Sequence, residues 1–120
     1  MKKIIIKTQE EFDKIKEIKA DEEVVFGSER IVINCVLRVF GILRLTGEID
    51  SSWNNRYIIS YGSSQNHIKN YGSSRNHIKS WSSSQNHIES WDSSQNHIES
   101  YGSSQNHIES YGSSQNHIKS

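Results

Sequence analysis

The sequence predicts a mainly β fold: a β-solenoid (parallel β-helix) of tandem ten-residue repeats, about twenty residues per coil, with a small α/β N-terminal cap. Three observations carry that reading. From Tyr61 to Ser120 the chain is six tandem copies of Tyr-Gly-Ser-Ser-Gln-Asn-His-Ile-Lys/Glu-Ser, and Asn-His-Ile is intact in every copy; self-similarity at a fixed period is the signature of a stacked architecture. Within each copy, small and aliphatic residues alternate with large and charged ones, which is the period of a strand. Finally, the residues A, V, I, L, M, F, W, Y and C number 27 in positions 1–60 and 12 in positions 61–120. So thin a second half cannot fill a conventional globule, but it can fill the narrow interior of a stack.

The Ser, Gln and Asn content by itself would suit a low-complexity disordered tract. Aromatic and β-branched residues at fixed positions argue for order, as does a chain with no proline.

The first 30 residues read as the cap. Ile4 and Ile6 suggest a short strand. Thr8-Gln9-Glu10-Glu11 is a capping box, with the Thr8 hydroxyl over the amide of Glu11. Phe12, Ile15 and Ile18 follow at helical spacing and Glu10–Lys14 is an i,i+4 pair, so residues 8–20 are predicted as an amphipathic helix. Val24-Val25-Phe26 is a second short strand before Gly27-Ser28. This strand-helix-strand piece is expected to close the first coil.

Residues 31–120 read as one solenoid, with 61–120 its six decapeptides. Leu37-Arg38-Val39-Phe40-Gly41 and Leu43-Arg44-Leu45-Thr46-Gly47 align with Ile58-Ile59-Ser60-Tyr61-Gly62 and Ile68-Lys69-Asn70-Tyr71-Gly72. Alternation puts Ile68, Asn70, Gly72, Ser74 and Asn76 on the inner face. It puts His67, Lys69, Tyr71, Ser73 and Arg75 on the outer one. Stacked coils then set identical Asn and Ser side chains about 4.8 Å apart, in hydrogen-bonded columns. An unpaired buried amide costs about 1–3 kcal/mol, so the register must be kept throughout, which accounts for the likeness of the copies.

Charge sets the coil length. With ten residues per coil, the column Lys69, Lys79, Glu89, Glu99, Glu109, Lys119 has opposite neighbours in two of five contacts. With twenty, the columns are Lys69/Glu89/Glu109 and Lys79/Glu99/Lys119, opposite in three of four. Directly stacked like charges are unfavourable, so twenty is favoured. Both aromatic columns then read Tyr-Trp-Tyr.

Composition narrows function. Fourteen basic and fourteen acidic residues cancel, which argues against a nucleic-acid partner. The opening Met1-Lys2-Lys3-Ile4-Ile5-Ile6-Lys7 is too short in apolar residues for a signal peptide, and no run suits a membrane span. A cytoplasmic setting without membrane partners is the expectation. Cys35 is the only cysteine; within Ile33-Asn34-Cys35-Val36-Leu37 it reads as a small core hydrophobe. No nucleotide loop or zinc spacing is present, and no cofactor is expected. Six equivalent Ser/His sets on an open strip do not make a hydrolase, so no catalytic residue and no enzyme is expected.

Two surface rows remain as candidates. His67, His77, His87, His97, His107 and His117 form outward rows that can bind a metal or respond to pH. No metal site is assigned, because no carboxylate or cysteine stands at a matching position. Tyr61, Tyr71, Trp81, Trp91, Tyr101 and Tyr111 form stacked rings, suited to a carbohydrate or a second solenoid, or simply to stiffening the coil. At the C-terminal end, Tyr111, Ile118, Lys119 and Ser120 lie on a coil with no cap, whose open edge calls for a partner. The expected partner is a second copy of the chain, as a dimer.

The Leu-Arg-Val-Phe-Gly-Ile-Leu-Arg-Leu-Thr-Gly-Glu stretch and the Tyr/Trp-Gly/Asp-Ser-Ser copies resemble bacterial short-tandem-repeat β-solenoids, with pentapeptide-repeat and bactofilin-like proteins nearest in style. The Ala-Asp/Asn-Leu quintet of pentapeptide proteins is missing here. The resemblance implies a rigid, self-associating scaffold without catalytic residues. The expected function is therefore a non-enzymatic scaffold; the alternative is a module binding carbohydrate, metal or ice through the aromatic and histidine rows.

Overall fold

A computed structural model describes residues 1–51, 56–72 and 74–119. Ser73 and Ser120, assigned above to the outer face and the open end, lie outside the described residues. The chain runs β1 (Lys2–Ile6), α1 (Gln9–Asp13), β2 (Glu17–Ile18), β3 (Glu22–Val32), β4 (Val36–Val39), β5 (Ile42–Asp50) and β6 (Tyr57–Ser60). Six repeat strands follow: β7 (Gln65–Asn70), β8 (Arg75–Ser80), β9 (Gln85–Ser90), β10 (Gln95–Ser100), β11 (Gln105–Ser110) and β12 (Gln115–Lys119). Every pairing is parallel. Odd-numbered strands stack on one side, from β1 to β11, and even-numbered strands on the other, from β2 to β12; the end of β5 also reaches the even side, where Asp50 pairs with Arg75 of β8. One odd and one even strand make a coil, and the molecule is a parallel β-solenoid.

The coil is twenty residues long. Ile58 pairs with Ile78, Ile68 with Ile88, Ile78 with Ile98, Ile88 with Ile108 and Ile98 with Ile118. The charge columns follow the same register, Lys69↔Glu89↔Glu109 and Lys79↔Glu99↔Lys119. The earlier coils are less regular: Glu23 pairs with Ile42 and Leu45 with Ile68. A bulge between Gly27 and Arg30 absorbs one mismatch. Gly47 lies opposite it at φ +152, and a Cβ there would run into the Ser28 carbonyl, so only glycine fits.

The inner face is as the alternation predicts. Ile68, Ile78, Ile88 and Ile98 are buried in two columns, one continuing from Leu45 and the other from Leu37 and Ile58, and Asn66, Asn76, Asn86 and Asn96 are buried beside them. Two amide ladders climb the interior. Asn66 Nδ2 donates to Asn86 Oδ1 at 2.8 Å and Asn86 to Asn106 at 2.7 Å; Asn76 donates to Asn96 and Asn96 to Asn116, both at 2.7 Å. The second amide hydrogen goes to a serine hydroxyl of the same coil: Asn86 to Ser80, Asn96 to Ser90, Asn106 to Ser100 and Asn116 to Ser110. A polar interior is tolerated because almost every group has a partner. The carbonyls of Asn66 and Asn76, where the ladders start, have none among the described residues.

Gly72 differs from its predicted inward position. It turns a corner at φ +64 and is half-exposed, and the equivalent turn residues Gly62, Gly102 and Gly112 are exposed. Alternation stops at the corner, because the chain must reverse there, and resumes at Ser74. The two copies led by tryptophan put Ser82 and Asp92 in the same left-handed conformation, at φ 63 and 62. Asp92 is compensated: its carboxylate accepts from the Gly72 amide at 3.4 Å, and Asp tolerates this region. Ser82 is not so favoured. Replacing Ser82 by glycine is expected to stabilise the fold by about 1 kcal/mol, seen as a higher denaturant midpoint, and to help more than Asp92→Gly.

The cap departs from its prediction. The helix covers Gln9–Asp13 rather than residues 8–20, and Glu17–Ile18 is a strand paired with Arg38–Val39. Thr8 caps as expected, its Oγ1 accepting from the Glu11 amide at 3.1 Å. The helix stops early because the chain must reach the opposite side of the coil. A strand advances about 3.3 Å per residue and a helix 1.5 Å. Ile18 enters the core as a strand residue, fully buried. The second strand is also longer than Val24–Phe26: β3 runs unbroken from Glu22 to Val32, across the boundary drawn at residue 30. β1 stacks beneath it with Lys2↔Glu22 through Ile6↔Phe26, so these N-terminal strands share the solenoid's stacking. Phe12 plugs this end, buried and stacked on Phe26 at 5.1 Å. The Gln9 amide exchanges two hydrogen bonds with the backbone of Val32, at 2.8 and 3.0 Å, in the manner of a neighbouring strand.

Candidate functional site

The outer face carries the two sets of rows picked out by sequence, each split into two columns on opposite sides of the coil. The aromatic columns stack ring on ring. Phe40 sits over Tyr61 at 5.1 Å, and Tyr71, Trp91 and Tyr111 follow one another at 6.3 and 4.3 Å. Trp81 lies on Tyr101 at 4.3 Å with planes 19° apart. The ring faces are thus turned on one another, and what solvent meets is mainly their edges.

The histidine columns are His67/His87/His107, on β7, β9 and β11, and His77/His97/His117, on β8, β10 and β12. Centroids are 6.0 and 4.8 Å apart in the first and 5.0 and 4.9 Å in the second. Each column lines an open groove with the side chains two residues before it, Gln65, Gln85 and Gln105 on one side and Arg75, Gln95 and Gln115 on the other, of about 340 Å³ and 450 Å³ respectively. One ring of these outer columns is covered by its neighbours. His77 is 5% exposed. Its ring packs against Tyr57 at 5.3 Å, Lys79 Nζ lies 4.6 Å over that Tyr57 ring, and its amide donates to Ser51 Oγ at 2.8 Å. The cause is that the coil beneath β8 is not a repeat copy, so six identical triplets do not have six identical environments.

Carboxylates do stand beside the imidazoles, contrary to the expectation from sequence. In His-Ile-Glu the histidine and the glutamate share one face of a strand. His77, His97 and Glu99 bring their ligand atoms within 4.8 Å of one another, and so do His87, His107 and Glu109. Glu99 reaches His97 Nε2 at 3.7 Å, His77 Nε2 at 3.9 Å and Lys79 Nζ at 3.8 Å. Glu109 reaches His107 Nε2 at 3.2 Å and accepts from the Tyr111 hydroxyl at 3.3 Å. The signal was in the sequence, but only once the twenty-residue coil is granted.

Burial pushes the imidazoles of His67, His77 and His97 below their ordinary pKa of 6.5; the next-largest cause is a neighbouring positive charge, Arg44 for His67, His97 for His77 and His117 for His97. Hydrogen bonds from Arg44 and His107, respectively, hold Glu23 and Glu109 below theirs of 4.5. The unfolded chain therefore binds more protons than the folded one in both ranges, so stability rises with pH through each range and is lost as the pH drops. The melting temperature is expected to be flat above pH 6.5, to fall as the pH drops below it, and to fall again below 4.5. Replacing His77 by glutamine should weaken the first step, as thermal scans at several pH values would record.

Tyr111, Ile118 and Lys119, expected from sequence to self-associate, lie at the far end of the stack: Tyr111 is exposed, Ile118 is 48% exposed, and Lys119 pairs in register with Glu99. No helix of the described residues is long and apolar enough to cross a membrane. Comparison with protein-family models, curated proteins and solved structures finds no match to this chain.

Proposed function

We propose that this protein is a non-enzymatic scaffold that joins a second copy of itself through the coil formed by β11 and β12. The observation that carries this reading is the difference between the two ends of the stack. At the N-terminal end Phe12 fills the interior, and the β1 edge carries Lys2 and Lys3, charges that discourage pairing. At the other end the β11 and β12 edge offers backbone groups, Ile108, Ile118 and the ends of both amide ladders. That edge is a template for a coil of like chemistry.

The blocked first end decides the geometry. Head-to-tail growth would need a second copy to present its Phe12 end, so the favoured contact is end to end about a twofold axis, giving a closed dimer rather than a filament. Such a twofold reverses the direction of winding, so the meeting strands run antiparallel. The resemblance to self-associating bacterial solenoids supports the same role. A cytoplasmic setting, in which Cys35 stays a thiol, fits it too. A carbohydrate-binding role for the aromatic columns has less support, since their ring faces are taken up by one another.

Light scattering at micromolar concentration tests the proposal. The expected mass is twice the 13.8 kDa of the chain. Ile118→Glu, at an exposed position of the last coil, should give a folded monomer. A wild-type monomer, or a dimer indifferent to this substitution, would overturn it.

A further inference from the structure

We infer that His87, His107 and Glu109, with Glu89 beside them, form a surface site for one divalent late transition-metal ion of the zinc–nickel class. The inference stands apart from self-association. It rests on a contrast between two clusters of the same make-up on opposite sides of the coil.

On the β9/β11 side, His87 and His107 are register partners with rings 4.8 Å apart and 12° from parallel. Two residues on, Glu89 and Glu109 are register partners as well. His87 Nε2 lies 3.8 Å from Glu89 Oε1, and His107 Nε2 lies 3.2 Å from Glu109 Oε1. Two imidazoles and two carboxylates thus meet on adjacent strands of one face. Imidazole with carboxylate is a donor set that suits zinc, nickel and copper. The side chains are partly exposed, so an ion has access and the rings have room to turn. Closing ligand atoms from 4.8 Å to the roughly 3.3 Å edge of a tetrahedron with metal–nitrogen bonds near 2.0–2.1 Å takes side-chain rotation alone.

Charge separates the two sides. Two carboxylates stacked in register repel. Lys69, 3.8 Å from Glu89, offsets only one of them, which leaves this column with one positive and two negative charges. A divalent cation removes the repulsion. The Tyr111 hydroxyl, donating to Glu109 Oε2, orients the carboxylate from behind as the outer partners of metal ligands do. In the opposite cluster of His77, His97 and Glu99, the carboxylate pairs in register with Lys79 below and Lys119 above. That column carries two positive charges and one negative, and His77 is buried against Tyr57. It has the geometry without the charge.

Calorimetric titration of the full chain with zinc chloride, repeated with nickel chloride at neutral pH, tests the assignment. One ion per chain is expected, with a rise in melting temperature that follows metal concentration. Glu109→Lys gives this column the charge pattern of the other, and it should abolish binding, as should His107→Ala. Tyr111→Phe should weaken binding by about tenfold. His97→Gln and Glu99→Lys should leave it unchanged, and so should Ile118→Glu. All these changes except His97→Gln and Glu99→Lys lie in the last coil, and circular dichroism would verify that the sheet persists. No heat and no thermal shift, two ions per chain, or loss of binding from the His97 or Glu99 variants instead would each overturn the inference.

Discussion

Replacing Ile88 by alanine is expected to cost about 3 kcal/mol of unfolding free energy, while the same change at Ile118 costs close to nothing in the monomer. Both residues occupy the same position of the repeat. They differ in what lies above and below. Ile88 is fully buried between Ile68 and Ile108, whereas Ile118 has only Ile98 beneath it and is half-exposed. Each decapeptide supplies one isoleucine to the interior, so no neighbouring aliphatic side chain is free to fill the hole. A cavity in a stack also weakens the coils beyond it, because each coil leans only on its neighbours. Urea unfolding would give the loss. Hydrogen exchange should show faster opening of β11 than of β5. An equal loss at both positions would mean that Ile118 is covered in solution.

The second large effect is expected at Asn96. Its Oδ1 accepts from Asn76 at 2.7 Å and from Asn70 at 3.1 Å, and its Nδ2 donates to Asn116 and to Ser90. Alanine at this position strands the donors of Asn76 and Asn70 inside the solenoid. Each unpaired buried group costs about 1–3 kcal/mol, so a loss of about 3 kcal/mol or more is expected. The neighbouring exposed Gln95→Ala should change stability by less than about 0.5 kcal/mol. Asn70 takes the place that serine holds in other copies, and its own carbonyl has no partner among the described residues. Asn70→Ser should therefore cost little.

Much of this architecture could be read from residues alone, and the reasons are physical. The repeat fixed which side chains stack. The alternating Lys and Glu columns then chose twenty residues over ten, because only that choice sets Lys69 against Glu89 and Glu99 between two lysines. The inner positions of Ile68, Ser74 and Asn76 followed from the period of a strand. What misled was local pattern without its surroundings. Phe12, Ile15 and Ile18 have helical spacing, yet backbone pairing with β4 claims Ile18. The histidines look equivalent, yet His77 lies over Tyr57 and Ser51, residues of a coil outside the repeat. Glu99 and Glu109 do not read as ligands along the chain, because the second imidazole of each cluster comes from the neighbouring coil.

The stacking of each residue on its counterpart twenty positions away is the claim on which the ladders, the columns and the metal cluster depend. It can be tested with cysteine pairs in a Cys35→Ser background. Gln85 and Gln105 are exposed register partners on adjacent strands, spaced at about 4.8 Å. Gln95 and Gln105 lie on opposite sides of the coil. Oxidation of dilute protein should close an intrachain disulfide in Gln85→Cys/Gln105→Cys and leave Gln95→Cys/Gln105→Cys reduced, since a bridge needs Cα atoms within about 7 Å. Ready closure of the ten-apart pair with none in the twenty-apart pair would contradict the coil.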